Sequence, residues 1–421
     1  MKVLVIGRGG REHALCEKIK ESPLVSRIYA APGNPGMISC AELLPYTESE
    51  QEELIDFAQT EKINLVLIGP EQPLMDGLAD RLQQAGLRVF APTKKAAEIE
   101  GSKAFAKRLM TKHGIPTARY GVFDDHQAAR EYLDHCPIPV VIKADGLAAG
   151  KGVVVAETRR EAEAAVREML VEKKHGAASS VVVIEEFLVG EEFSLMAFVH
   201  GDLVVPLQIA QDHKRAYDGD TGPNTGGMGA YSPVPQISPE TIKEAVDTVL
   251  QPAVHALLAE GRFFSGVLYA GLILTAEGPK VIEFNARLGD PETQVVLPRL
   301  KSDLIEVILK LMAGEKPELD WDPRPMLGVV VACDGYPQDC AGRSRLGAMP
   351  LAAADLHLYY SGVALGGGGE LIATGGRTFL LAASGCTLAA AQNRVYGVLN
   401  DLILPGLFYR TDIGRRALEK V

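Results

Sequence analysis

Over the first hundred residues, short apolar runs alternate with amphipathic stretches. KVLVI, RIYAA, NLVLIG and RVFA have strand character, and helical patterns start at about Glu12, around 52–60 and near 76–85. Strand and helix in alternation predict a doubly wound parallel sheet over residues 1–101. After an APT turn, 94–113 reads as one helix, and GIPTARYG ends it. Residues 102–121 therefore link the first unit to the next. A smaller α/β unit is expected over 122–191 and a larger one over 192–313. After the Pro-rich KPELDWDPRP, a further α/β piece runs from 326 to 421 and includes the hairpin-like GGGGELIATGGR. QDHKRAYDGDTGPNTGGMGAYSPVP, residues 211–235, reads as a long polar loop, of a length usually functional or disordered inside a compact domain.

Length changes this picture little: 421 residues suggest about three domains. With 47% hydrophobic and 23% charged residues the chain is globular rather than disordered. Its net charge of −11 offers no global basic surface to nucleic acid or an anionic membrane, so any anion site must be local. The first apolar run stops at Gly7, too short for a secretory signal, and no later stretch reaches about 18 uninterrupted apolar residues, so a cytoplasmic protein is expected. The six scattered cysteines, with no CxxC pair, are expected to be reduced core thiols.

Three stretches carry candidate chemistry. VIKADGLAAGKGVVVA, residues 141–156, has Lys143 and Lys151 on either side of a small-residue loop. It departs from the P-loop, with three residues between Gly146 and Gly150 and Gly152 where a hydroxyl should follow Lys151. Two strands joined by such a turn suit a flap over a triphosphate, and equally an ordinary Gly-rich hairpin with solvated lysines.

GRGGRE follows the first strand like a dinucleotide-binding turn, but Glu12 stands at the third glycine position and no acidic residue ends the second strand. A helix N-terminus with Arg11 remains, suited to one phosphate monoester. PGNPG at 32–36 and GPE at 69–71 end the next two strands, so three turns share one carboxyl edge, where ligands of open α/β sheets bind. Each turn taken singly reads more simply as a tight turn.

In VIEFNARLGDPETQ, residues two apart share a strand face, so Glu283, Asn285 and Arg287 are expected in a row, with Ile282, Phe284 and Ala286 behind. A carboxylate, an amide oxygen and a guanidinium together suit Mg²⁺ carrying phosphate, with Mn²⁺ as an alternative ion. In VVVIEEFLVGEEF, Phe187 and Leu188 could line an adenine pocket and Glu192 could accept from ribose hydroxyls, although acidic residues after a strand are usually just solvated.

In order along the chain, GGREHAL, PGNPG, EGSKAFAK, VIKADGLAAGKGV, IEEFLVGEE, QDHKRAYDGDTGPNTGGMGAYSP, LYAGL and EFNARLGDPETQ resemble the ATP-grasp superfamily and, within it, the glycinamide ribonucleotide synthetases. The resemblance extends to YRTDIGRRA and so covers nearly the whole chain. It implies an ATP-grasp core of two α+β units, a lid (122–191) and a catalytic unit (192–313), between a substrate-binding N-terminal domain and a small C-terminal domain.

The implied reaction joins glycine to 5-phosphoribosylamine at the expense of ATP. Lys103, Lys143 and, on the flap, Lys151 would meet the phosphates. Glu185, Phe187 and Leu188 would form the adenine hinge, Glu192 would hold the ribose, and Glu283 and Asn285 would hold the metal. Asp212 would take the glycine ammonium, with Arg287, Asp290 and Glu292 nearby, and Gly9, Gly10, Arg11, Asn34 and Glu71 the phosphoribosyl part. Lys143, Arg287 and Asp212 are the expected catalytic residues, and no obligate protein partner is evident. Arg8, Ser361 and Thr374 depart from the residues such proteins carry, and Tyr269, Ala270 and Gly271 stand where many relatives add an acidic metal ligand. A bicarbonate-activating ATP-grasp enzyme and a non-enzymatic nucleotide sensor are the alternatives, disfavoured by the TGPNTGGMGAYSP loop and by the intact 283–285–287 row respectively.

Overall fold

A computed structural model describes residues 1–148, 152–174, 176–338 and 344–419. The N-terminal sheet is parallel throughout, in the order Glu42–Leu43, Arg27–Pro32, Lys2–Gly7, Leu65–Ile68, Val89–Phe90. Val3, Leu4, Val5 and Ile6 are all buried because helices cover both faces. Gly7, Pro32 and Ile68 end adjacent strands, which brings the three turns to one edge as expected.

Two expected helices are each divided. The pattern near 76–85 belongs to Glu71–Asp76 and Leu78–Gln84, which meet at Gly77 with φ of 87°, a conformation open to glycine at little cost. The pattern over 94–113 breaks at Ser102, whose extended backbone and side-chain bond from Phe105 N–H start a second helix, Lys103–Lys112. Ser102 also donates to Asp145 at 3.1 Å, so the break is fixed by a residue 43 positions away. Its effect is to put Lys103 at a helix start, beside the flap.

The smaller unit, expected to be a lid, is an antiparallel sheet, Tyr120–Phe123, Val182–Glu186, Val140–Ala144, Val153–Ala156, with a separate core built with the helices His126–Asp134 and Arg159–Leu170. The larger unit, expected to be the catalytic one, carries a second antiparallel sheet, Leu203–Pro206, Glu191–His200, Ser265–Thr275, Gly278–Asn285.

The third main sheet crosses the boundary expected at 326. Its central strands, Met326–Cys333, Arg377–Ser384 and Leu356–Tyr360, are extended by Gly229–Ser232 and Gln211–Asp212. The 211–235 stretch is therefore no structureless loop: its two ends are strands of the C-terminal sheet, and Arg215–Tyr217 and Thr221–Asn224 form a hairpin between them. GGGGELIATGGR does form a hairpin, Val363–Leu365 with Leu371–Ala373. Cys333 is disulfide-bonded, which corrects the expectation of six reduced thiols, whereas Cys16, Cys40, Cys136 and Cys386 are free. No helix of the described residues is long and apolar enough to cross a membrane.

Candidate active site

The expected row on Gly278–Asn285 is present with one change. Pairing with the neighbouring strand runs Gly271 to Glu283 and then Leu272 to Val281, so Ile282 is the extra residue of a β-bulge. Ile282 is half-buried instead of packed behind, and its carbonyl accepts from Lys143 Nζ at 3.0 Å. Glu283, Asn285 and Arg287 stay together beyond the bulge while Phe284 and Ala286 are buried.

Arg287 is held by two N-terminal-domain carboxylates, Glu100 at 3.0 Å and Glu71 at 3.5 Å, and donates to Asn285 Oδ1 at 3.3 Å. Burial alone would lower its pKa, but Glu100 and Glu71 raise it, so the guanidinium is permanently charged. Burial pushes the Glu100 carboxyl up, while its other oxygen accepts from Ala286 N–H at 2.7 Å. Glu100 was not foreseen, because nothing in EIEGSK marks a partner 187 residues away.

Lysines gather on the lid side. Glu185 lies buried between Lys143 and Lys107, each at 3.0 Å. Its carboxylate is thus engaged by two ammonium groups, where an adenine-hinge role was expected. Lys107, not foreseen, also donates to Thr117 Oγ1 at 2.8 Å, and burial brings its pKa down to about 8 against the opposing pull of Glu185. Lys103 donates to Gly146 O at 3.2 Å, and burial lowers its pKa too. Lys151 lies outside the described residues. Phe187 is exposed and Leu188 half-buried, at the end of the strand that carries Glu185.

Carboxylates gather on the opposite side, around a lysine the sequence reading passed over. Lys214 Nζ lies 3.4 Å from Glu192 and 4.0 Å from Glu283. Burial works against its charge, but Asp212, Glu192, Glu283 and Glu292 together raise its pKa well above the usual value. Partial burial pushes Glu283 up, and Lys214, Lys143 and Lys103 more than reverse this, leaving its carboxyl below the usual range. Burial dominates at Asp212 and pushes it up to about 7. Glu292 is buried, accepting from Tyr269 Oη at 2.6 Å and Ser194 Oγ at 3.2 Å. Tyr269, found where relatives carry an acidic ligand, thus fixes an acidic residue from the next turn.

The phosphoribosyl set divides. Glu12 accepts from Gly9 N–H at 2.6 Å and pairs with Arg11, and its side chain fills the space beside Gly7 and Gly69. It occupies the turn that a dinucleotide pyrophosphate would need, and it leaves the helix N-terminus less open than expected. Gly10 packs under Ser361 and Gln294, and Arg11 donates to Leu288 O at 3.2 Å. Both N–H groups of the Asn34 amide are engaged, donating to Arg8 O and Tyr360 O, and its oxygen accepts from Gly36 N–H, so it shapes the turn and docks the C-terminal domain. Asp290 pairs with Arg377 at 3.1 Å and accepts from Gln294 at 2.7 Å. Thr374 lies away from this set, its N–H on Gly362 O in the small hairpin sheet.

Outside the site, His13, Glu17 and Cys40 come within 4.8 Å of one another. His13 Nδ1 accepts from Tyr360 N–H at 3.0 Å, so a neutral ring carries its proton on Nε2, the nitrogen a metal would need. The cluster reads as a domain contact.

Two antiparallel sheets, one presenting lysines and the other carboxylates, joined where Lys143 meets the Ile282 carbonyl, define an ATP-grasp protein. Three family models match in series: the phosphoribosylglycinamide synthetase N domain over 1–100, its ATP-grasp (A) domain over 101–293 and its C domain over 326–416. The chain belongs to the phosphoribosylglycinamide synthetase family, and is an ATP-dependent ligase. It is 54% identical to a phosphoribosylamine–glycine ligase of Halalkalibacterium halodurans, over 100% of this chain and 98% of that protein. The crystal structure of a phosphoribosylamine–glycine ligase from Thermotoga maritima is 33% identical and superposes with a TM-score of 0.87 over 98% of this chain and 100% of that one. A biotin carboxylase domain from Hydrogenobacter thermophilus shares the fold at 17% identity and a TM-score of 0.75, covering 97% of this chain and 91% of that one.

Proposed function

We infer that the chain ligates glycine to 5-phosphoribosylamine, converting ATP to ADP and phosphate and forming glycinamide ribonucleotide for purine biosynthesis. One observation carries the reading: Lys103, Lys143 and Arg287 converge in charge on Glu283, which with Glu192, Asp212 and Glu292 surrounds Lys214, and Lys143 reaches the neighbouring Ile282 carbonyl. A polyphosphate suits the first group; a divalent cation and an ammonium suit the second.

A carboxylate does not condense with an amine unaided, because its oxygen is a poor leaving group. Attack of the glycine carboxylate on the γ-phosphorus expels ADP and gives glycyl phosphate. The amine of phosphoribosylamine then attacks the acyl carbon, and phosphate leaves with one former carboxylate oxygen. No side-chain nucleophile is required. Lys143, Lys103 and Arg287 stabilise charge on the transferring group by position, Asp212 meets the glycine ammonium, and Glu71, Gly9, Gly10 and Arg11 line the phosphoribosyl side. Phe187 and Leu188 flank the base and Glu192 the ribose.

Glu283 and Asn285 fit a divalent ion: both offer hard oxygens, and lysines hold the Glu283 carboxyl ionised. Mg²⁺, or Mn²⁺ in its place, supplies charge neutralisation at the phosphates. We take residues 1–101 as the phosphoribosyl-binding domain, 122–191 as the lid, 192–313 as the catalytic unit and 326–421 as the C-terminal domain. An ADP-release assay with glycine and phosphoribosylamine added singly and together tests the reading. Turnover should need both; release dependent on bicarbonate and indifferent to glycine would refute it.

A further inference from the structure

Asp212 and Lys214 lie where the chain leaves the catalytic sheet: Ala210 still bridges Ser194 and Gln211 donates to Glu191, whereas Asp212 already pairs with Ala230 of the C-terminal sheet. Between Gln211–Asp212 and Gly229–Ser232 the chain forms a hairpin whose strands, Arg215–Tyr217 and Thr221–Asn224, pair only with each other among the described residues. An isolated two-stranded hairpin is marginal in water, so its position has to be imposed from outside.

The C-terminal segment imposes it. Arg410, 1% exposed, makes a two-pronged pair with Asp412, at 2.7 and 2.8 Å, and its remaining nitrogen reaches Asp220 Oδ1 and Arg215 O, each at 3.0 Å. The Arg215 carbonyl is one residue from Lys214. Thr411 N–H donates to Asp218 at 2.8 Å and its hydroxyl bonds the other oxygen of the same carboxylate. Gly219 N–H donates to Asp412 at 2.8 Å, and Arg416 pairs with Asp220. Tyr217 packs against Phe408. Every residue of the hairpin tip, 218 to 220, is therefore bonded to 410–416. At the base, Arg377 donates to Gly226 O at 2.6 Å and Tyr336 accepts from Gly226 N–H at 2.9 Å.

We propose that residues 410–416 are a clasp that sets where Asp212 and Lys214 stand in the active site, with Arg410 as a positioning residue for the glycine side of the reaction. The proposal rests on the reading that Asp212 meets the glycine ammonium. Arg410 does not touch substrate; it acts through Arg215 O and Asp220. A planar guanidinium grips Asp412 with two nitrogens and reaches a second carboxylate with the third, which a lysine ammonium cannot reproduce. The C-terminal domain thereby carries one half of the site, while the metal strand belongs to the catalytic sheet.

The test compares full-length wild type with Arg410→Lys, Asp218→Ala and Asp212→Asn. Asp218 is exposed, so its variant keeps the test open if Arg410→Lys fails to fold. Arg410→Lys should raise the glycine KM about tenfold with kcat within about threefold of wild type, since misplacement of a binding group costs mainly the affinity that group provides. Asp218→Ala should shift KM the same way by less. In both, amide exchange over 215–224 should quicken, while exchange in the lid strands and ADP affinity stay as in wild type.

An unchanged glycine KM despite faster exchange would overturn the clasp. So would a parallel loss of kcat, glycine affinity and ADP affinity, which general destabilisation would produce. If Asp212→Asn raises the glycine KM but the clasp variants do not, the clasp fails and the Asp212 reading stands. If the clasp variants raise it and Asp212→Asn does not, the reverse holds.

Discussion

The two sides of the cleft are built on opposite charge rules. On the lid side Lys107 and Lys143 share the single carboxylate of Glu185, with Lys103 beside them. On the other side Glu192 and Glu283 share the single ammonium of Lys214, with Asp212 and Glu292 adding to its field. Burying several like charges is costly unless each has a counter-charge or a ligand supplies one. Among the described residues the closest ion pairs leave each side richer in one sign, opposite to that of the ligand proposed for it: phosphate for the lysines, metal and ammonium for the carboxylates. The sides meet where Lys143 reaches the Ile282 carbonyl, which is where phosphoryl transfer belongs on this account.

The largest expected effect breaks the carboxylate side. Glu283→Gln should lower kcat/KM by about 10³ or more, in the range seen when a principal electrostatic contact is lost, while circular dichroism and thermal unfolding stay near wild type. Normal turnover of that variant at low Mg²⁺ would remove Glu283 from the metal site. Lys143→Met attacks the opposite side: the ATP KM should rise roughly tenfold to hundredfold by loss of a charged phosphate contact, with the glycine KM little changed. A smaller effect comes from pH. Burial places Asp212 at about 7, so below that pH it is increasingly neutral and cannot pair with an ammonium. Between pH 8 and pH 6, kcat/KM for glycine should fall by about tenfold at most, with one proton bound, and Asp212→Asn should flatten that limb. Smallest is Tyr269→Phe, which removes one of the two donors to the buried Glu292. Urea unfolding should register about 1 kcal/mol, and no change would show that Ser194 alone satisfies the carboxylate.

The sequence made the carboxylate side more legible than the lysine side, for a physical reason. Glu283 and Asn285 lie on one strand and Arg287 two residues past its end, so period-two alternation orders them without knowledge of distant contacts. Only the bulge at Ile282 escaped, because a one-residue insertion shows in the pairing partner and not in the pattern. Lys107, Lys214, Glu100 and Arg410 were missed as site residues because each takes its meaning from a partner far along the chain. Lys107 meets Glu185, Glu100 meets Arg287, and Arg410 meets Asp220. Lys214 stood in the quoted QDHKR string, so a charged residue two positions from a proposed ligand was the available signal. Asn34 shows another limit: a polar residue in a strand-ending turn suggested a ligand contact, and the sequence could not show that its amide also bonds Arg8 O, Tyr360 O and Gly36 N–H.

The division of charge between the two sides is tested most directly by the Mg²⁺ dependence of ADP affinity, measured by calorimetry on wild type, Lys143→Met and Glu283→Gln, each with Mg²⁺ and with chelator. Lys143→Met should weaken ADP binding by a similar factor in both conditions. Glu283→Gln should bind ADP like wild type in chelator and lose only the part of the affinity that Mg²⁺ adds. Loss of metal-free affinity in Glu283→Gln, or full metal-free affinity in Lys143→Met, would contradict the assignment of phosphate to one side and metal to the other.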